Sequence, residues 1–170
     1  MRPINEIIIH CSATRPDWLK GKPAAVKVAA IRKWHVEDRG WSDIGYHWVI
    51  DRNGEVLPGR PEGKQGAHVR GHNRNTLGVS LIGGFGGSAV DTFDDHFTGA
   101  QRLALEKLIA DIQKRHKITK LSGHNEYANK GCPCFDVRSE FSLSQKQVKP
   151  KPSLYARIGQ AWSGIVRRRG

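Results

Sequence analysis

The apolar positions of this chain change their period several times, and each change marks a predicted element. Glu6 to Cys11 carries the run Ile7-Ile8-Ile9, which is a buried strand's length. From Ala24 to Asp38 the spacing becomes helical, with Val28, Ile31 and Trp34 or His35 recurring on one side. Tyr46 to Asp51 and Glu55 to Leu57 flank Arg52-Asn53-Gly54, whose Asn-Gly step is a strong hairpin signal. Thr76 to Ile82 reads as a central strand that stops at Gly83-Gly84. A Gly- and Asp-rich loop leads into the clearest helix. There Thr98 and Gln101 form a capping box, and Leu105, Leu108, Ile109 and Ile112 make the buried stripe. Leu121 to His124 reads as a last short strand, followed by an irregular loop through Gly131-Cys132-Pro133-Cys134. Strands mixed with two long helices, without regular alternation, predict an α/β fold: a single mixed β-sheet flanked by helices.

Beyond Phe141 the pattern changes character. Residues 144–153 are polar and basic and carry Pro150 and Pro152, which is linker chemistry. In residues 154–170, Leu154, Tyr155, Ile158, Trp162, Ile165 and Val166 share one helical face, and Arg167, Arg168 and Arg169 close the segment. The expected organisation is a main domain over 1–143, a linker over 144–153 and a basic amphipathic helix over 154–170. The apolar face with flanking arginines suits an anionic membrane or outer-envelope surface, and equally a helix docked on the main domain.

Composition narrows the function classes. The chain has 170 residues and a formal net charge of +12, half of it from six basic residues beyond Gln147 with no acid among them. Such a balance suits an anionic partner: nucleic acid, a membrane surface or a cell wall. Nucleic acid is the weak candidate, because no helix-turn-helix, zinc finger or aromatic-basic RNA motif accompanies the charge. No run approaches the roughly 20 apolar residues that span a bilayer, and the N-terminus reads without a secretion signal. Synthesis in a cytoplasm is therefore expected, with help needed to reach any target outside. Three cysteines argue against a disulfide scaffold and fit metal ligation or burial.

Candidate chemistry gathers on His10, His124 and Cys132. His10 lies near the end of the first strand, where a side chain can project into a cleft. His124 closes the last strand, and Cys132 follows on a Gly/Pro loop. Two imidazoles and a thiolate are three good zinc ligands that leave a fourth position open, as catalytic zinc requires. The spacing is no compact finger motif, so on residues alone the triad is a weak signal and each histidine reads first as a hydrogen-bonded side chain in the core or on the surface.

Several ordered blocks resemble one family. They are His10-Cys11-Ser12-Ala13-Thr14, Gly40 to His47, Gly66-Ala67-His68 with Asn73, Gly78 to Gly84, Gly123-His124-Asn125-Glu126 and Lys130-Gly131-Cys132-Pro133. Over roughly residues 4–138 the chain resembles the type 2 N-acetylmuramoyl-L-alanine amidases, most of all the small bacteriophage lysozymes of that group. Peptidoglycan recognition proteins share the fold. The resemblance implies one Zn2+ on His10, His124 and Cys132, catalytic roles for Tyr46 and Lys130, and substrate binding by His68. It also implies a monomeric endolysin that hydrolyses the amide between N-acetylmuramic acid and L-alanine of peptidoglycan. Such an enzyme acts on the wall from the host cytoplasm and depends on a membrane-permeabilising partner. A non-catalytic peptidoglycan-binding module is the rival, and retention of Cys132, Lys130 and Tyr46 together argues against it.

The remaining candidates read as structural. His35 is expected to be structural, and His47 to face away from Tyr46, because strand neighbours point to opposite sides. His72, His96 and His116 read as solvated. Cys11 reads as buried packing and Cys134 as an inert thiol. Asn125 stands where phage relatives commonly have a second histidine, which removes an alternative ligand and makes His124 the less ambiguous choice.

Overall fold

The computed structural model describes residues 2–143, so the expected linker over 144–153 and helix over 154–170 lie outside the described residues. Five strands form one sheet in the order β3-β2-β4-β1-β5. They are β1 (Glu6–Cys11), β2 (Trp48–Ile50), β3 (Val56–Pro58), β4 (Thr76–Leu81) and β5 (Lys120–Gly123). β1 runs parallel to β4 and β5, β2 is parallel to β4, and only the β2–β3 hairpin is antiparallel. The sheet is thus mixed, as expected. Among the described residues no helix is long and apolar enough to cross a membrane.

β1 lies between two strands, and both of its faces are covered. Ile7, Ile8 and Ile9 are all 0% exposed, which explains a continuous apolar run where a half-exposed strand would alternate. Ile7, Ile9 and Cys11 pack with Leu77, Val79 and Leu81 of β4 against the stripe of α3 (Gly99–Arg115), formed by Leu105, Leu108, Ile109 and Ile112. A second cluster, Val28, Ile31, Ile44, Val49 and Ile82, joins α1 (Ala24–Lys33) to another part of the sheet. The capping box starts α3 as expected: Thr98 accepts from the Gln101 backbone, and the Gln101 amide oxygen accepts from the Thr98 backbone. Gln101 is itself buried, and its amide donates to the Ile50 and Ile82 carbonyls, tying the helix start to the sheet.

Several boundaries differ from the sequence reading. The first helix ends at Lys33 and widens into a π-helical turn over Trp34–Asp38. β2 begins at Trp48, two residues late, and β3 is displaced by one residue from the expected segment. Gly54 sits at φ 86° in the hairpin turn, a conformation that glycine adopts without strain. Two short helices, α2 (Phe93–His96) and α4 (Val137–Glu140), have four residues each, too few for a helical period to register. His124 opens a 3-10 turn immediately after β5.

His116 and His96 are not the solvated side chains expected of them. His116 Nε2 lies 2.8 Å from Glu62, with its side chain 6% exposed, and His96 pairs with Asp91 at 2.7 Å. Burial raises the Glu62 carboxyl, but hydrogen bonds from Arg115, His116 and Trp48 outweigh it and hold the group down to about 2. His72 lies against the Tyr127 ring, centroid to centroid 4.4 Å. His35 and His47 are structural as expected. His35 stacks on Trp41 and accepts from the Gly45 N–H, while His47 accepts from the Gly78 N–H.

Lys27 of α1 reaches both oxygens of Asp51, at 2.7 and 2.9 Å, with side chains only 9% and 5% exposed. Lys27→Met leaves that carboxylate buried and alone, and should cost about 3–5 kcal/mol in urea denaturation. The apolar double replacement Lys27→Met, Asp51→Leu should recover most of it. A single-variant cost near zero would show that the pair contributes no such constraint.

Burial also pushes the His35 and His47 imidazoles down to about 4. Above their ordinary value of 6.5 both are neutral whether folded or unfolded. Below it the unfolded chain takes up protons that the folded chain refuses until about pH 4. Their contribution is therefore complete above pH 6.5 and lost progressively as pH falls toward 4. Urea midpoints should drop steeply over that window, and a flat profile would contradict the burial of two neutral rings.

Candidate metal centre and cleft

The alternation that buries Ile7, Ile9 and Cys11 against α3 turns Ile8 and His10 to the opposite face of β1. β5, parallel to β1, ends at Gly123 and so delivers His124 beside His10. The loop after the 3-10 turn returns Cys132 to the same place. The His10 and His124 Nδ1 atoms are 3.2 Å apart, and the Cys132 sulfur is 3.9 Å from His10 Nδ1. All three ligand atoms lie within 4.8 Å of one another. A tetrahedral ion held at about 2.0–2.3 Å sets nitrogen and sulfur ligands about 3.3–3.6 Å apart. The group therefore fits a metal site of two nitrogens and one sulfur, with one position left over.

The electrostatics suit that use. His10 is fully buried, and burial first, then His68, His124 and Lys130, hold its imidazole well below the ordinary value. Burial and Lys130 lower His124 likewise, so both rings are neutral and keep a lone pair for a metal. The Cys11 side chain first, and then burial, push the Cys132 thiol well up, and the Cys11 backbone N–H that donates to its sulfur at 3.2 Å offsets this only in part, so the charge of a bound metal would be what favours the thiolate. Cys134 is shifted the same way: its hydrogen bond to Cys11, and then burial, push its thiol up. Cys134 is 1% exposed and touches the Cys11 sulfur at 3.7 Å, in keeping with two packing thiols.

A directed chain of hydrogen bonds orients His10. The Thr76 hydroxyl donates to the His72 carbonyl at 2.9 Å, so toward His68 Nε2, 3.3 Å away, it can only accept. His68 then carries its proton on Nε2 and offers Nδ1 as an acceptor to His10 Nε2, 3.1 Å away. That places the His10 proton on Nε2 and leaves the Nδ1 lone pair facing His124 and Cys132. Gly78 makes room for this chain: a Cβ there would meet His68 Cγ at 2.5 Å. Burial pushes His68 down to about 3, so it stays neutral and can serve as both donor and acceptor.

Above the group opens a cleft of about 750 Å3 whose walls include Tyr46, His68, His124, Lys130 and Cys132. The Tyr46 ring lies 5.1 Å from the His10 ring, and burial raises its phenol, which therefore stays protonated. All six residues singled out from the sequence thus meet in one place. Sequence reasoning missed Thr76, and it missed Arg39, Trp41 and Arg70 on the cleft walls. The one available signal for Thr76 was its place two residues before a glycine inside a strand.

Comparison with known proteins agrees with this geometry. Residues 1–135 match the family model described as N-acetylmuramoyl-L-alanine amidase. The endolysin of Escherichia phage T7 is 41% identical over 132 residues, covering 78% of this chain and 82% of that protein. An N-acetylmuramoyl-L-alanine amidase of Clostridium intestinale superimposes with a TM-score of 0.65 at 26% identity, covering 82% of this chain and 83% of that one. A bumblebee peptidoglycan recognition protein reaches a TM-score of 0.68 at 24% identity, over 84% of each chain, and bears on the fold alone. This chain belongs to the N-acetylmuramoyl-L-alanine amidase family and is an amidase enzyme.

Proposed function

We propose that His10, His124 and Cys132 hold one zinc ion, and that the cleft hydrolyses the amide between N-acetylmuramic acid and L-alanine of peptidoglycan. The observation that carries this reading is the convergence of three ligand atoms within 4.8 Å beneath a cleft walled by Tyr46 and Lys130. Zinc, when bound, supplies Lewis-acid activation of the scissile carbonyl and of water. The protein's own residues do the rest. The Lys130 ammonium stabilises the oxyanion that develops as the carbonyl is attacked. Tyr46, protonated at neutral pH, donates to the same oxygen or orients water. The leaving amine takes its proton from one of these two groups. His68, with both ring nitrogens engaged, fixes His10 and meets the stem peptide through its ring edge. The natural role we infer is host lysis by a phage enzyme made in the cytoplasm, which reaches the wall after a partner permeabilises the inner membrane.

Variants of the named residues separate holding the metal from turnover. His10→Ala, His124→Ala and Cys132→Ser should lose zinc and activity together. Tyr46→Phe and Lys130→Ala should keep zinc and lose about 10²-fold or more in kcat. Cys134→Ser should be nearly silent. If Cys134→Ser strips the metal while Cys132→Ser does not, the wrong sulfur has been assigned.

The hydrogen-bond chain makes its own prediction. Thr76→Val removes the acceptor that orients His68, and should weaken zinc affinity about 10- to 100-fold in chelator competition. Thr76→Ser should restore it. Unchanged affinity in Thr76→Val would mean that the chain does not set the His10 tautomer.

A further inference from the structure

The centre of the sheet buries a hydroxyl that the ligand group leaves unused. Ser80 lies near the end of β4, in register with His10 of β1 on one side and with Val49 of β2 on the other. Registered neighbours in a sheet project to the same face, so Ser80 stands beside His10 on the side of the candidate metal group. Its neighbours along β4, Val79 and Leu81, pack on the opposite side with α3. Ser80 is 0% exposed, and its Oγ has no hydrogen-bond partner of ordinary length and angle among the described residues. An apolar residue would fill this place without burying a polar atom, so the hydroxyl calls for an explanation.

Among the groups around Ser80, one acceptor stands out. His10 commits its Nε2 proton to His68, and its Nδ1 lone pair faces His124 and Cys132. Tyr46 flanks the same imidazole, with ring centroids 5.1 Å apart. Burial is what raises the Tyr46 phenol, and a hydrogen bond from Ser80 is one of the smaller influences that oppose the rise. A donor to the phenolic oxygen has that sign, because it stabilises the charged form. The two hydroxyls are therefore neighbours, although their present geometry falls short of a regular hydrogen bond. Hydrogen bonds of a reaction centre are often long before substrate binds and tighten in the complex.

We propose that Ser80 is a positioning residue, whose Oγ–H donates to the Tyr46 phenolic oxygen and turns the phenol's own proton out toward the scissile carbonyl. This inference rests on the amidase reading given above and sharpens the role of Tyr46 within it. A phenol has a single proton to give. With its oxygen occupied by a donor from the sheet, that proton is offered into the cleft, and Tyr46 is held as a donor to the developing oxyanion. Chained hydroxyls also polarise one another, which strengthens the outer bond of the pair.

The test is a double-mutant cycle between Ser80 and Tyr46, read in zinc-loaded enzyme on a soluble muramyl peptide. Ser80→Ala should lower kcat about 3- to 10-fold, the size expected for one hydrogen bond, with KM and zinc affinity unchanged. Ser80→Thr, which keeps the hydroxyl, should recover most of the loss. In the Tyr46→Phe background, Ser80→Ala should cost nothing further, since the acceptor is already gone. The same fold loss in both backgrounds would overturn the proposal, because Ser80 would then act through packing alone. Full kcat in Ser80→Ala would overturn it too, as would a fall in zinc affinity in place of kcat, which would assign the hydroxyl to His10. Undiminished kcat in Tyr46→Phe with Ser80 intact would instead overturn the role of Tyr46 in the amidase reading, and this inference with it.

Discussion

β1 is buried on both faces and paired on both edges, so its register governs every position around it. With Ile7, Ile9 and Cys11 committed to the α3 side, His10 has only the opposite face available. A slip of one residue would drive His10 under α3 and turn isoleucines into the cleft, a loss of buried apolar area that no local adjustment recovers. The parallel pairing with β5 then fixes where His124 emerges, and the pairing with β4 places Gly78 beside Ile8, where the His68 ring needs space. The hydrophobic effect thus positions the His10–His124–Cys132 group before any ligand chemistry is involved.

Charge is divided along the same lines, between a floor and its walls. The imidazoles of His10, His68 and His124 are kept neutral by burial first and by neighbouring imidazoles, lysine and arginine second. Neutral rings are what a metal requires and what a directed hydrogen-bond chain requires. The positive charge resides instead on longer side chains at the cleft walls, which are solvated and available to a substrate. Neutral imidazoles at the floor and cations on the walls thus occupy separate levels of the cleft.

Legibility in the sequence followed the physics of each feature. β1 and α3 were readable because a continuous apolar run and a capping box are strong local signals. The proposed ligands His124 and Cys132 lie 114 and 122 residues from His10 along the chain, and only family resemblance joined them. Spacing alone says nothing about parallel strands that bring distant residues together. β2 started late because the Tyr46 and His47 backbones pair outside the regular ladder, with Arg60, Gly59 and Gly78. The Thr76–His68–His10 chain was invisible for a similar reason: a threonine at a strand start reads as β propensity. His116 looked solvated because its partner, Glu62, is 54 residues away. Arg39 and Arg70 were lost among the many basic residues of a +12 chain until a shared cleft singled them out.

The central claim is that the group on β1, β5 and the Cys132 loop is the zinc centre of an amidase. The most direct measurement is product analysis of murein digested by the purified, zinc-loaded protein, counting new amino groups and new reducing sugar ends together. The account predicts free stem-peptide amines in proportion to digestion, no new reducing ends, and loss of both digestion and zinc in a strong chelator. Reducing ends without amines, or full amine release from protein stripped of metal, would contradict it.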